Sequence, residues 1–428
     1  MRRLYEMFME ASTAHARWDY ETSLSIIKNR RKLLILLILA LPVIAGPVYS
    51  YAAGGLPEIL GGKHAYAPAF YDPTIFFVSI AIGLCAGLIT GCIGAGGGFI
   101  ITPALMSAGI RGILAVGTDL FHIFAKAIMG TTVHKKLGNV SVGLAIAFVI
   151  GSLIGVSGGG VLNRALYESN PVLSDLFISV VYVVLLGFLG FYALIDFFRA
   201  RKKDKIAGQP AHAETAATAV AGGTLPGLPG RLQSVNIPPT IKFDEDVVEG
   251  GRKIPAVFVA GCGSIVGFVA AIMGVGGGFL TFPMFVYGLG VSSFTTVGTD
   301  IFQIILTAGF ASISQYAIYG YIFYTLAIGM LLGSLLGIQI GALTTKVVKG
   351  VYIRGFYAVA ILAGFINRLF VLPDKLSSMG VISISPGLGK VLAQVGNWLF
   401  FLIVGIFAFW VISTFIRNLP KLRGETEL

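Results

Sequence analysis

The sequence predicts an all-α, polytopic transmembrane helical bundle made of two inverted five-segment repeats with broken helices, plus flanking N- and C-terminal helices. Composition, recurring apolar runs and an internal repeat carry this reading. Hydrophobic residues make up 56% of the 428-residue chain and charged residues 12%, with a mean hydropathy of +0.86. A soluble domain carries about 25% charged residues, so the bilayer is the expected solvent. Apolar runs approaching the roughly 20 residues of a membrane-spanning helix recur from Lys32 to Arg417.

The formal charge of +11 does not point to nucleic acid. The basic residues cluster at the ends of apolar spans, the positive-inside pattern. Cys85, Cys92 and Cys262 sit inside apolar segments without CxxC spacing, so neither a disulfide framework nor a metal site is expected. No cofactor motif is present.

Residues 1–74 read as a cytoplasmic amphipathic segment around Leu4, Phe8, Leu24 and Ile27, an anchor helix at Leu33–Tyr51 and an external loop. The 32 residues before the apolar run are long for a cleaved signal peptide, so the anchor reads as uncleaved.

The repeat appears in three motifs. Gly94-Ala95-Gly96-Gly97-Gly98-Phe99 with Pro103 matches Gly274-Val275-Gly276-Gly277-Gly278-Phe279 with Pro283. Val116-Gly117-Thr118-Asp119 matches Val297-Gly298-Thr299-Asp300, and Gly151-Ser152-Leu153-Ile154-Gly155 matches Gly333-Ser334-Leu335-Leu336-Gly337. The offset drifts only from 180 to 182 residues.

The first transmembrane repeat, 75–198, divides into 75–92, 99–110, 113–134, 141–163 and 174–198. The second, 255–372, divides into 255–273, 279–290, 294–318, 322–345 and 350–372. Segments 99–110 and 279–290 would rise only about 18 Å as helices, roughly half the hydrocarbon thickness. Irregular backbone is tolerated at that depth only inside protein or beside a polar cavity, so both read as broken helices at a central site.

Residues 199–254 read as a mobile cytoplasmic linker, rich in Ala, Gly, Pro and Thr over 206–240 and lacking the apolar period of a soluble domain. Residues 373–428 read as an external loop, a peripheral last helix at Val395–Phe415 and a cytoplasmic tail. Ten repeat crossings and two outer helices put every strong basic cluster on the cytoplasmic side. An odd number of crossings per repeat inverts the second copy against the first.

The Gly-rich stretches lack the strand that a nucleotide loop requires. Glycine here lets backbone unwind beside a ligand, and the N–H groups opening the next short helix can face an anion. Candidate binding residues are Gly96, Gly97, Gly98, Phe99, Gly276, Gly277, Gly278 and Phe279. Gly151, Gly155, Gly333 and Gly337 read instead as packing glycines.

Ionisable groups inside spans are costly and mark polar interiors. Asp300 is the one charged residue between Pro255 and Thr345, whereas Asp119 is joined on one helical face by His122 and Lys126. Two readings stay open. His122 and Lys126 attract an anion while an Asp handles protons, or Asp119 pairs with them and both Asp residues cap helices beginning at Gly-Thr-Asp, with breaks at 117–119 and 298–300. Gln303 and Thr307 replace His122 and Lys126 in the second copy. Thr118, Thr299, Gln303, Ser312, Ser314 and Gln315 add neutral hydrogen-bonding groups; His134 falls at an interface beside Lys135.

The paired GxGGGF and VGTD motifs, the two-repeat layout and the basic linker resemble the sulfite exporter TauE/SafE family over about residues 75–372. That resemblance implies a secondary transporter, not an enzyme, that exports a small anion such as sulfite or sulfoacetate across the cytoplasmic membrane. The expected partners are this anion and the lipid bilayer. Homo-oligomerisation is left open. The alternatives are an anion channel and a membrane scaffold acting through the linker.

Overall fold

In this computed structural model the described residues are 57–66, 73–93, 97–134, 141–207, 228–245, 250–344, 347–348 and 350–418. The predicted anchor at 33–51, the amphipathic N-terminal segment, Gly94–Gly96, Lys135 and most of 206–227 fall outside them.

The first half comprises α1 (Pro73–Ile93), α2 (Gly98–Ser107), α3 (Gly112–His134), α4 (Val142–Ser169) and α5 (Pro171–Ala207). Next come a short helix α6 (Leu228–Ser234) and strands β1 (Thr240–Phe243) and β2 (Arg252–Pro255). The second half has α7 (Ala256–Met273), α8 (Gly278–Pro283) running into a π-helical turn Met284–Leu289, and α9 (Ser293–Phe310) running into a second π turn Ala311–Ala317. It ends with α10 (Tyr324–Thr344), α11 (Gly350–Ser378) and α12 (Pro386–Arg417).

Among the described residues, seven helices are long and apolar enough to cross a membrane: α1, α4, α5, α7, α10, α11 and α12. Their outward faces carry bare hydrophobics such as Ile154, Phe188, Leu336, Trp398 and Phe409, each more than 60% exposed. Water would penalise that surface; lipid does not. Here the all-α membrane architecture is plain.

The expected half-length segments are present. Gly97, with φ +32°, and Gly277, with φ +86°, immediately precede α2 and α8 in the left-handed backbone region that glycine allows. The alternative breaks at Gly-Thr-Asp are absent. α3 and α9 run unbroken through 117–119 and 298–300, and the N-cap of α9 is Ser292, whose hydroxyl accepts from Thr295 N–H.

The packing glycines seat the long helices in pairs. A Cβ on Gly151 would strike Ala260, and one on Gly155 would strike Ser264; reciprocally, Gly263 abuts Phe148 and Gly267 abuts Ser152. These contacts advance together along both chains, so α4 and α7 run parallel. Gly333 on Ile80 and Gly337 on Leu84 make α1 and α10 a second parallel pair. The opposite progression, Gly187 on Phe365 but Gly355 on Phe197, sets α5 and α11 antiparallel. Gly117 on Tyr321 and Gly309 on Phe124 do the same for α3 and the α9 segment.

Two expectations for the extramembrane parts need correction. Part of the linker is built structure. β1 and β2 form an antiparallel hairpin with Ile241 opposite Ile254, and Phe243 and Ile254 join Phe148, Val259 and Phe285 in a buried cluster. Two apolar positions on a short hairpin suffice for docking, although no longer apolar period flags them. Likewise, the external segment expected at 373–395 is mostly helix: α11 continues to Ser378 with Pro373 inside it, and α12 starts at Pro386. α12 packs on α11 through Phe356 against Trp410 and through Asn367 against Asn397.

Candidate functional site

The two broken elements meet. A Cβ on Gly98 would stand 2.9 Å from Val275 Cα, and one on Gly274 would stand 2.8 Å from both Thr102 Oγ1 and Val116 Cα. The Gly-rich stretch of the second half therefore lies against α2 and α3 of the first, and glycine is what lets the backbones approach.

Asp119 lies where they meet. Its Oδ2 accepts from the Thr102 hydroxyl at 3.0 Å, and a Cβ on Gly98 would come within 3.2 Å of the same oxygen. His122, one turn on, contacts Ser334 Oγ of α10 through Nε2 at 2.9 Å, and its Nδ1 stands 3.7 Å from Asp119 Oδ1. Both side chains are fully buried, and Asp119 Oδ1 and His122 Nδ1 lack hydrogen-bond partners. Lys126 follows on the same face, partly exposed, and interacts electrostatically with Asp119.

The second copy repeats this plan with different chemistry. Asp300 Oδ1 accepts from Gln303 Nε2 at 2.8 Å; Thr307 donates to Gln303 Oε1 at 2.8 Å; Ser152 Oγ of α4 lies 2.8 Å from Thr307 Oγ1. A Cβ on Gly278 would lie 3.3 Å from Asp300 Oδ2, so each half-helix start is faced by a carboxylate. Ser152 and Ser334 are repeat-related, so each half's polar ladder reaches the fourth helix of the other half.

Thr118 and Thr299 lie outside both ladders. Thr118 Oγ1 accepts from Phe323 N–H at 2.9 Å, just before α10, and Thr299 Oγ1 accepts from Ser141 N–H at 3.0 Å, at the N-cap of α4. Each threonine holds the start of the other half's fourth helix. Phe99 is fully buried with its ring edge-on to Tyr357 at 6.1 Å, which is core packing. Gly96 lies outside the described residues; Gly97, Gly276 and Gly277 line the turns into the half-helices with positive φ.

Three arginines extend the polar interior beyond the sequence reading. Arg368, fully buried on α11, donates from Nε to Asn367 Oδ1 at 2.7 Å and from its terminal nitrogen to Ser107 Oγ at 2.8 Å and Pro103 O at 3.4 Å, holding the far end of α2. Arg252 of β2 donates to Gly290 O at 2.9 Å, just past the α8 segment. Burial pushes its guanidinium down from the ordinary value, and Asp244 beside it at 3.8 Å opposes that shift. Arg164 on α4 donates to Gln315 at 2.7 Å and lies over the Tyr319 ring. An arginine within or at the end of an apolar span was the available signal.

An open cleft of about 570 Å³ between Phe124, Leu153, Leu306 and Phe310 is apolar and suits a lipid chain better than an anion.

A helical membrane bundle with two broken elements meeting at a buried polar core is an architecture that many membrane transporters use. The model of the family "Sulfite exporter TauE/SafE" matches residues 79–368, and the chain belongs to that family. It is 25% identical over 267 residues to "Probable membrane transporter protein YjnA" of Bacillus subtilis (strain 168), covering 61% of this chain and 87% of the relative. It is also 32% identical over 111 residues to "Probable membrane transporter protein YunE" of the same organism, covering 26% and 39%. No solved structure matches.

Proposed function

We propose that this chain is a secondary transporter that exports a small anion, namely sulfite, a sulfonate such as sulfoacetate, or a related sulfur oxyanion or organic anion, by alternating access across the cytoplasmic membrane. The observation that carries this reading is the junction of α2 with the Gly274–Gly278 stretch, lined from both halves and holding the buried Asp119 and His122 with the partly exposed Lys126 beside them. Reading the halves as inverted copies is supported by the antiparallel run of corresponding helices, α3 against α9 and α5 against α11, with α1 parallel to α10 and α4 parallel to α7. Copies in opposite orientation across a bilayer require that combination.

The anion binds beside Lys126 and His122, the cationic side of the junction. A carboxylate already faces the start of each half-helix, so the helix N-termini assist only when that carboxylate is neutralised. A potential negative inside favours anion exit by roughly 2.3 kcal/mol per charge per 100 mV.

In proteoliposomes, labelled sulfite or sulfoacetate should exchange faster when unlabelled substrate is present on the opposite side, and Lys126→Ala should slow that exchange at least tenfold, the loss of about 1.4 kcal/mol of binding or barrier energy. Flux without such acceleration indicates a channel. No movement of any of these anions removes the reading.

A further inference from the structure

We infer that the Asp119–His122 pair is a proton-binding site and that the transported anion moves together with a proton. The inference rests on the transporter reading above and deepens it by naming the coupled ion.

Two unsatisfied atoms face each other across this pair. Asp119 Oδ1 and His122 Nδ1 are buried, lack partners and lie 3.7 Å apart, beyond the roughly 2.7–3.2 Å of a hydrogen bond. A proton between them, with a short approach, satisfies both. On the other side of the ring, Ser334 Oγ is within reach of both His122 Nε2 at 2.9 Å and Leu331 O at 3.1 Å. That hydroxyl is a two-position switch. With one proton on the imidazole, Nδ1–H faces Asp119 and Ser334 donates to Nε2. With two, Nε2–H donates to Ser334, which turns its own proton to Leu331 O. The ring gains or loses a proton without leaving a buried polar atom unpaired.

The second copy acts as an internal control. Gln303 occupies the position of His122 and closes the same geometry with fixed bonds to Asp300 and Thr307. An amide does not titrate, so the imidazole site exists in one half of the molecule and not in the other.

The groups facing the pair decide the sign of the coupling. α3 itself supplies Lys126; α5 supplies Tyr182, whose hydroxyl donates to Met273 O at 2.6 Å; α2 and α10 supply Thr102 and Ser334, which carry no charge. On α9, Asp300 is held by Gln303. One added proton raises the charge of this group by one. That added charge shields Asp119 at the start of α2 and favours an anion. Proton and anion therefore bind cooperatively, not in competition, and linkage gives an apparent affinity that rises by up to about tenfold per unit fall in pH while one proton is taken up.

The test uses the full chain in proteoliposomes with a trapped pH dye and an imposed gradient of sulfoacetate, whose sulfonate charge is constant over roughly pH 5–8. Wild type should change lumenal pH in the direction of anion movement, acidifying when the anion enters. In His122→Gln, which borrows the second copy's own solution, the pH change per sulfoacetate moved should vanish, whatever the rate that variant retains. Sulfoacetate movement by wild type with no pH change, or an undiminished pH signal in His122→Gln, overturns the inference and leaves the transporter reading intact. If His122→Gln is inactive, wild-type counterflow decides: a rate insensitive to symmetric pH across that range overturns it. Wild type moving no sulfur anion brings down the transporter reading itself.

Discussion

At the scale of single residues, the Gly-Thr-Asp motifs divide their labour. The aspartates sit in the polar ladders, and the threonines hold backbone of the opposite half. A hydroxyl that accepts from a helix-start N–H satisfies a donor that has no intrahelical partner, and its loss leaves a buried N–H unpaired. Thr118→Val and Thr299→Val should each lower stability by about 1–3 kcal/mol, read as a fall in the thermal midpoint of the purified protein, whereas Thr→Ser at either site should restore most of it. The motif was legible in the sequence, but this role was not. The partners Phe323 and Ser141 are 205 and 158 residues away, and nothing local in a Gly-Thr-Asp triplet says which helix it will touch. The same distance hid Arg368, two of whose acceptors lie on α2. The asymmetry between His122 and Gln303 was legible, because it is a difference in residue type at matched positions and needs no geometry.

At the scale of elements, small residues set the pairing of α1 with α10 and α4 with α7. Lipid offers no hydrophobic drive between helices, so close van der Waals approach has to supply it. Gly151, Gly155, Gly333 and Gly337 all bring Cα against the backbone of the partner helix. Gly151→Val and Gly337→Val should each cost about 1–3 kcal/mol by overpacking, with loss of the monodisperse peak in size-exclusion chromatography. Gly387→Ala and Gly405→Ala on α12, where an added Cβ meets nothing within 4 Å, should be neutral. The GxxxG spacing announced packing surfaces but not partners. That the first helix of one half would pair with the fourth of the other follows only once both halves are folded together. Short hairpin elements were less visible still. Phe243 and Ile254 bury fully on the bundle, yet four-residue strands carry too few alternations to stand out from a Gly- and Pro-rich stretch.

At the scale of the whole molecule, the contacts define two ends. One gathers residues 57–66, 317–324 and 375–385: Tyr324 donates to Leu60 O, Gly320 abuts His64, and Lys375 pairs with Asp175 at 3.0 Å. The other gathers the β hairpin and the starts of α4 and α9: Ile241 packs on Gly143, and Asp244 accepts from Ser292 N–H at 2.9 Å and from Thr295 Oγ1 at 2.5 Å. The basic clusters Arg199–Lys205 and Arg252–Lys253 adjoin the second end, and the positive-inside bias predicts that this end faces the cytoplasm. Orientation matters beyond bookkeeping, because a potential negative inside expels an anion only from a site loaded on the cytoplasmic face. Single cysteines at the exposed positions Lys63 and Ser383 should react with a membrane-impermeant maleimide on intact cells, above the background of Cys85, Cys92 and Cys262, while cysteines at the exposed Lys242 and Lys253 should react only after permeabilisation. The reverse pattern would turn the molecule over. The hairpin would then face outward, the basic clusters would break the charge bias, and the potential would drive the same anion out from a site loaded at the end now taken to be external.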